Sequence, residues 1–167
     1  MAVDIFIEVE GIEGESQKVG REGWIDILSY SFAITQSGDF HEGGAGGGGA
    51  GRADVSDLTI MKRADNASAV LFNACAQGRY IGKVTLIDQK PPARPDADPI
   101  GYYKITLEDV MVSSFSSSGA DKDQHIMESV SFNCAKMSFD YKVLDEESNE
   151  KAVVSGVYDI RRNVATA

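Results

Sequence analysis

Apolar residues recur at every second position through most of this chain, the spacing of a strand that buries one face. Val3, Ile5, Ile7 and Val9 alternate with Asp4, Phe6 and Glu8. Residues 23–37 read GWIDILSYSFAITQS. Trp24, Asp26, Leu28, Tyr30, Phe32 and Ile34 share one face, whose large apolar side chains predict that it faces the core. Ile25, Ile27, Ser29, Ser31, Ala33 and Thr35 share the other, which turns small and polar beyond Ile27 and suits a water-filled lumen or a polar contact. Further strands are expected over residues 53–62, 81–88, 102–116, 128–143 and 153–162. Within two of them the apolar parity slips. Tyr103, Ile105 and Leu107 give way to Val110 and Val112, and Val130, Phe132 and Cys134 give way to Met137, Phe139 and Tyr141. Slips of this kind predict bulges.

One segment has the helical period instead. Over residues 66–77, Ala67, Leu71, Ala74 and Cys75 form a narrow apolar stripe, enough to dock one helix on a sheet. Asp65 fits the N-cap, because its carboxylate accepts free N–H groups of the first turn. Gly78 fits the left-handed position that ends a helix. Residues 90–99, KPPARPDADP, interrupt the strands, since proline cannot donate to a ladder. The reading is about seven strands, joined mostly by short connections and therefore antiparallel, with one helix. Two long strands with parity slips predict a sheet that curls on itself. The expected fold is mainly β: a single-domain antiparallel β-barrel over residues 1–167, with the helix packed on its side.

Composition removes several classes of partner. The chain has 167 residues and a net charge of −10, and its evident basic pairs are Lys62-Arg63 and Arg161-Arg162. An acidic protein without a strong basic patch does not hold a polyanion, so nucleic acid is excluded as a principal partner. No apolar run approaches the ~20 residues of a membrane helix, and no membrane insertion is expected. The opening MAVDIFIEVEG carries Asp4 and no basic stretch, so it reads as a strand and not as a cleavable signal. Cys75 and Cys134 sit among apolar neighbours and read as reduced core thiols. Together these point to a protein made in the cytoplasm.

Residues 43–51 read GGAGGGGAG, seven glycines and two alanines. Gly44, Gly46 and Gly49 formally satisfy G-x-G-x-x-G, as do Gly46, Gly48 and Gly51. A dinucleotide site needs a helix after its glycines, to meet the pyrophosphate with its N-terminus. Here a strand-like segment follows. A P-loop fails as well, because Gly51 is followed by Arg52-Ala53 and the hydroxyl that would bind magnesium is missing. His41 and His125 have no partner at ligand spacing, so no metal site is expected. No G-x-S-x-G elbow marks a nucleophile, and no pair of acids is singled out for glycoside chemistry. The residues therefore predict no catalytic machinery and no cofactor.

Four segments carry a family resemblance: AVDIFIEVEGIEGES, QSGDFHEGGAGGGGAGRADVSDL, ITLEDVMVSSFSSSG and SFNCAKMSFDYKV. In these, and in their order along nearly the whole chain, the sequence resembles the haemolysin-coregulated protein (Hcp) family, the tube proteins of bacterial type VI secretion systems, similar to the tail-tube proteins of contractile phages. The start and residues 36–58 are the most specific parts, and residues 90–99 are the least family-like. The resemblance implies a structural protein and not an enzyme, with no cofactor. It implies a homohexameric ring of barrels that stacks into a hollow tube. A contracting sheath drives such a tube, tipped by a VgrG-type spike, out of the cell, and the lumen holds small effector proteins. Delivery would be to the extracellular space or a target cell, without a cleavable signal. On this frame Ser29, Ser31 and Thr35 are expected to line the lumen. The extended Gly-rich loop at 38–52 is expected to contact neighbouring subunits or rings through Gly38, Asp39, Phe40, His41, Gly43, Gly44, Gly46, Gly48 and Gly51, because glycine permits close backbone approach. The alternative from the residues alone is a monomeric barrel binding a small ligand such as a sugar or lipid.

Overall fold

A computed structural model of the chain describes residues 3–38, 50–92 and 97–166. In chain order its elements are β1 (Asp4–Val9), β2 (Ile25–Ile27), β3 (Ser29–Ser31), β4 (Ile34–Gly38), β5 (Ala50–Val55), β6 (Leu58–Arg63), α1 (Ser68–Gln77), β7 (Ile81–Lys90), β8 (Ile100–Ser118), β9 (Met127–Leu144), β10 (Glu150–Asp159) and β11 (Val164–Thr166). Every strand pairing is antiparallel. The expected fold is borne out: an antiparallel barrel with one helix against it.

The barrel closes through a shared strand. β9 is long enough to pair β8 along most of its length, β6 through its first half and β10 through its second half. From β8 the ladder runs to β7, β1 and β2. The chain then passes from β2 to β3, which pairs β6 and completes the circuit. At that corner the Leu28 N–H bonds the Met61 carbonyl at 2.7 Å. The corner corrects the single-face reading of residues 24–34. Ile25 and Ile27 are buried, Leu28 is exposed, and the inward parity resumes with Tyr30 and Phe32. A strand that changes partners turns about its axis, and alternation in sequence does not register the turn.

Inside, Ile7, Ile25, Leu58, Ile60, Leu86, Ile105, Leu107, Val130 and Phe132 pack with no exposure. The interior is filled by side chains, as small barrels are. The helix lays Ala67, Leu71 and Ala74 onto this core, the expected stripe. It begins two residues later than the periodicity suggests. Asp65 is therefore not the N-cap that the sequence suggests: that position falls to Ala67, which has no side-chain cap, and Asp65 instead accepts the Ala67 N–H at 3.0 Å just before the helix, while Ser68 Oγ accepts the Asp65 N–H at 3.0 Å. Gly78 ends the helix at φ 59°, as expected. No helix among the described residues is long and apolar enough to cross a membrane.

The parity slips are real, but no inserted residue causes the one at Asp109. Glu108 pairs Lys136 and Val110 pairs Cys134, so the register runs unbroken past it. Asp109 instead lies at φ 53°, the left-handed region, where aspartate is more tolerated than most residues. Its side chain accepts a hydrogen bond from Tyr80 Oη at 2.5 Å and pairs with Arg161. Register shifts fall elsewhere in β8, between Val112 and Ser114 and opposite the Asp88–Gln89 step of β7.

One charged cluster lies in the body of the fold. Lys62 has no exposure, and its Nζ reaches Glu128 Oε2 at 2.7 Å, Asp65 Oδ1 at 2.8 Å, the Arg63 carbonyl at 2.9 Å and Ser68 Oγ at 3.0 Å. Ser68 Oγ in turn donates to Glu128 at 2.7 Å. The cluster ties β6, β9 and the start of α1 into one knot.

Candidate functional site

Two sheet surfaces stand out from the barrel, and they differ in character. The first lies on the outer face of β3, β6, β9 and β8. The registers place Ser31 beside Thr59, Thr59 beside Ser131, and Ser131 beside Ser114. One step along, Ser29 lies beside Met61, Met61 beside Ser129, and Ser129 beside Ser116. The Thr59 and Ser131 hydroxyls bond at 2.9 Å. No charged side chain interrupts these two rows. At their edge Asp57 accepts from Ser113 Oγ at 2.5 Å and from Asn133 Nδ2 at 2.8 Å. The result is an uncharged surface of hydroxyls and one thioether, that of Met61, on a protein of net charge −10.

Of the three residues expected to line a lumen, Ser29 and Ser31 are exposed on this surface. Thr35 is exposed too, but on a separate two-stranded hairpin, β4–β5, where it pairs Asp54. The residues that complete the surface, Thr59, Ser114, Ser116, Ser129 and Ser131, were not singled out by sequence. Their small polar character alternates with Val130 and Phe132, which was a signal, but only cross-strand register brings them beside Ser29 and Ser31.

The hairpin arm carries the glycine-rich loop at its end. Gly38 pairs Ala50. A Cβ at Gly51 would lie 2.8 Å from Ser37 Oγ and 2.9 Å from its carbonyl oxygen, so here the close backbone approach is to the chain's own β4. Gln36 Nε2 also donates to the Gly51 carbonyl at 2.6 Å. Asp39, Phe40, His41, Gly43, Gly44, Gly46 and Gly48 lie outside the described residues.

The second surface is a wing made by the second half of β9 with β10 and β11. Its two faces differ sharply. On one, Lys104, Asp140 and Ser155 lie in a row, Lys136 pairs Glu108 at 3.0 Å and Lys142 pairs Glu150 at 2.8 Å. On the other, the parity of the core continues outward: Ile105 and Met137 lead to Phe139, Tyr141, Val154 and Tyr158. There Phe139 is 39% exposed, Val154 60% and, on the adjoining arm, Ile34 55%. Between wing and arm runs an apolar groove of about 260 Å³ lined by Phe32, Ile34, Val55, Met137, Phe139, Gly156, Val157 and Tyr158.

Where wing meets barrel mouth, Asp88 points inward, paired across the ladder with Tyr103 and with Ile5 of β1. It is 8% exposed, and Tyr30 Oη approaches its Oδ2 at 3.4 Å. Burial raises the Asp88 carboxyl above its ordinary range, and burial followed by the nearby Asp88 charge raises the Tyr103 hydroxyl. The thiols Cys75 and Cys134 are free and half-buried, and burial pushes Cys134 up to about 11. Among the described residues no three His, Cys, Asp or Glu side chains group as a metal site would require.

Comparison with known proteins identifies the class to which this filled antiparallel barrel, with its two contrasting outward sheet surfaces, belongs: the type VI secretion tube proteins. The family described as type VI secretion system effector, Hcp, matches residues 6–141. The protein hcp1 of Pseudomonas aeruginosa is 34% identical over 165 residues, covering 98% of this chain and 99% of that protein. The crystal structure of Hcp1 from Salmonella typhimurium superposes with a TM-score of 0.79 at 28% identity, covering 99% of this chain and 100% of that one. A type VI secretion system effector from Yersinia pestis gives 0.73 at 26% identity, covering 93% and 99%. The chain belongs to the Hcp family.

Proposed function

We propose that the chain assembles into six-membered rings that stack into the inner tube of a type VI secretion system. A spike of the VgrG type would tip this tube, a contracting sheath would expel it, and its lumen would hold small effector proteins. Family membership carries the secretion role. The observation that supports self-assembly is the two-faced wing. A sheet face that continues the apolar parity of the core is not left in water on a stable monomer, because apolar surface gains roughly 25 cal/mol per Å² on burial. Among the described residues no strand pairs the outer edge of β10 along residues 150–156, which adds a second reason, since an open ladder edge invites pairing. A closed ring covers both without leaving a new edge.

In this reading the uncharged surface around Ser29 and Ser31 faces the lumen. Thr35 faces it from the arm, and the loop of residues 38–52 reaches a neighbouring subunit or ring. The whole chain, residues 1–167, acts as one domain. Light scattering after size exclusion tests the assembly: a species of six subunits is expected, and a monomer at every concentration refutes it. Ser31→Gln tests the lumen. It should keep ring size and lose cargo retention, and unchanged retention refutes the assignment.

A further inference from the structure

The β4–β5 arm stands off from the barrel. Every residue of β4 is exposed. The apolar groove lies between the arm and the wing, and a polar cleft of about 370 Å³, lined by Arg52, Asp54, Ser56, Asp57, Asn133 and Cys134, lies between β5 and β9. Packing therefore does little to hold the arm in one pose, and a two-stranded hairpin alone is marginal in water. At its base the Ser56 N–H bonds the Ala33 carbonyl at 2.8 Å, and Ser56 Oγ accepts the Ala33 N–H at 2.7 Å. These bonds join the strands where they leave the barrel, so they act as a hinge and do not set the arm's angle. Beyond the base, among the described residues, one side-chain hydrogen bond reaches from β4 or β5 to the body. Arg52, the one cation of the two strands, donates from Nη2 to the Ile160 carbonyl. That acceptor is held still. The Ile160 N–H bonds the Ala135 carbonyl at 2.9 Å, Arg161 pairs with Asp109 of β8, and the Arg162 N–H bonds Asp159 Oδ1 at 3.0 Å. The turn of residues 160–163 is thus tied to β9, to β8 and to the end of β10, and it presents a fixed carbonyl to the arm.

We propose that Arg52 is the latch that fixes the angle of the arm on the barrel, and so positions the loop of residues 38–52 for a neighbouring subunit or ring. The second half rests on the assembly reading, whereas the latch itself is a property of one copy. A charge-assisted bond suits the task, because it is stronger than a neutral one and its acceptor does not move with the arm. An arm held only at its base takes many angles. Its loop is then in the docking pose for a fraction of the time, and the affinity of the contact falls by that fraction. Arg52 is a positioning residue in this account and touches no second copy itself.

The test uses the full chain with Cys75→Ser and Cys134→Ser, spin-labelled at Thr35→Cys on the arm and Lys83→Cys on β7. Labelled chain is diluted into unlabelled chain, so that electron–electron distances are read within one copy. Arg52→Ala should at least about double the width of the arm-to-barrel distance distribution, since the hairpin loses its tie to the body. Arg162→Ala removes an exposed cation from the latching turn itself and should leave the width at the wild-type value. In the chain without labels, Arg52→Ala should keep the six-subunit ring by light scattering and lose ring stacking by electron microscopy. An unchanged width in Arg52→Ala overturns the inference whatever the rings do. A width broadened equally by Arg162→Ala overturns it too, because the cause is then charge and not the latch. A broadened width with normal stacking also overturns it, because the arm's angle then positions nothing. A wild-type chain that forms no rings refutes the assembly reading instead, and the widths still decide whether Arg52 holds the arm.

Discussion

Replacing Lys62 by methionine keeps most of the side-chain volume and removes the charge at the centre of the β6–β9–α1 knot. Lys62 has no exposure and Glu128 is 4% exposed. The variant therefore leaves the Glu128 carboxylate in the interior with the Ser68 hydroxyl as its remaining contact at 2.7 Å. Asp65 loses its partner as well, but it is more open, at 12%, and keeps the Ala67 N–H. Breaking a buried pair by removing one partner costs about 3–5 kcal/mol, chiefly because of the charge left behind. The expected loss is in that range, or a fall in unfolding midpoint of roughly 6–20 °C for a chain of this size. Urea titration followed by circular dichroism measures it, with subunit concentration held constant because assembly itself adds to apparent stability. The double variant Lys62→Met with Glu128→Leu is a sharper test. If the cost comes from the orphaned acid, removing that acid should recover at least about 1 kcal/mol, since apolar replacement of a whole buried pair is often neutral or better. A single variant that loses less than about 1 kcal/mol, or a double variant that loses the sum of the two single losses, would refute the account.

Two further outcomes follow from titrating groups. Because burial pushes the Cys134 thiol up to about 11, its thiolate fraction at pH 8 is about a hundredfold below that of an ordinary cysteine; in a Cys75→Ser background, a disulfide reagent should label the native chain about that much more slowly than the urea-unfolded chain, and equal rates contradict the burial. Asp88 has a folded-state pKa above its ordinary 3.8, so the folded chain binds its proton more readily than the unfolded one. Its contribution to stability therefore becomes more favourable as pH falls from neutral through the raised value and levels off below 3.8. The stability gap between wild type and Asp88→Asn, followed by urea titration across that window, should move in the wild type's favour on acidification, and a constant gap contradicts it.

Alternation alone located most strands and the side of each that faces inward, because a sheet with one packed face repeats every two residues. It failed at Leu28, where nothing in the sequence marks the passage from β1 as partner to β6. It also hid the break between β5 and β6: residues 53–62 read as one strand, whereas Ser56 and Asp57 separate two. The Ser56 N–H bonds the Ala33 carbonyl at 2.8 Å there, and Asp57 turns to Ser113 and Asn133. The charged residues of the interior were more legible than they looked. Lys62 continues the parity of Leu58 and Ile60, Glu128 that of Val130 and Phe132, and Asp88 that of Val84 and Leu86. A charge at a core-parity position signals a buried pair or an unmet one. What the pattern could not provide is pairing across strands, and both sheet surfaces exist only through pairing. Ser29 and Ser31 become part of a broad uncharged surface because β6, β9 and β8 bring Thr59, Ser129, Ser131, Ser114 and Ser116 alongside.

The same dependence on pairing explains why an acidic chain can carry so much exposed apolar sheet. The charge of −10 acts at long range, out to about 8 Å beyond the surface at physiological ionic strength, and holds copies apart. The wing acts only at contact, where apolar faces meet and water leaves. A random encounter between two wings meets the repulsion and recovers little, because the polar face, with its Lys136–Glu108 and Lys142–Glu150 pairs, covers the opposite side of the same strands. In the proposed assembly, only an approach that lays the apolar face fully against its complement overcomes the repulsion. Net charge and sheet polarity thus work together: one suppresses association in general, and the other permits it in one geometry.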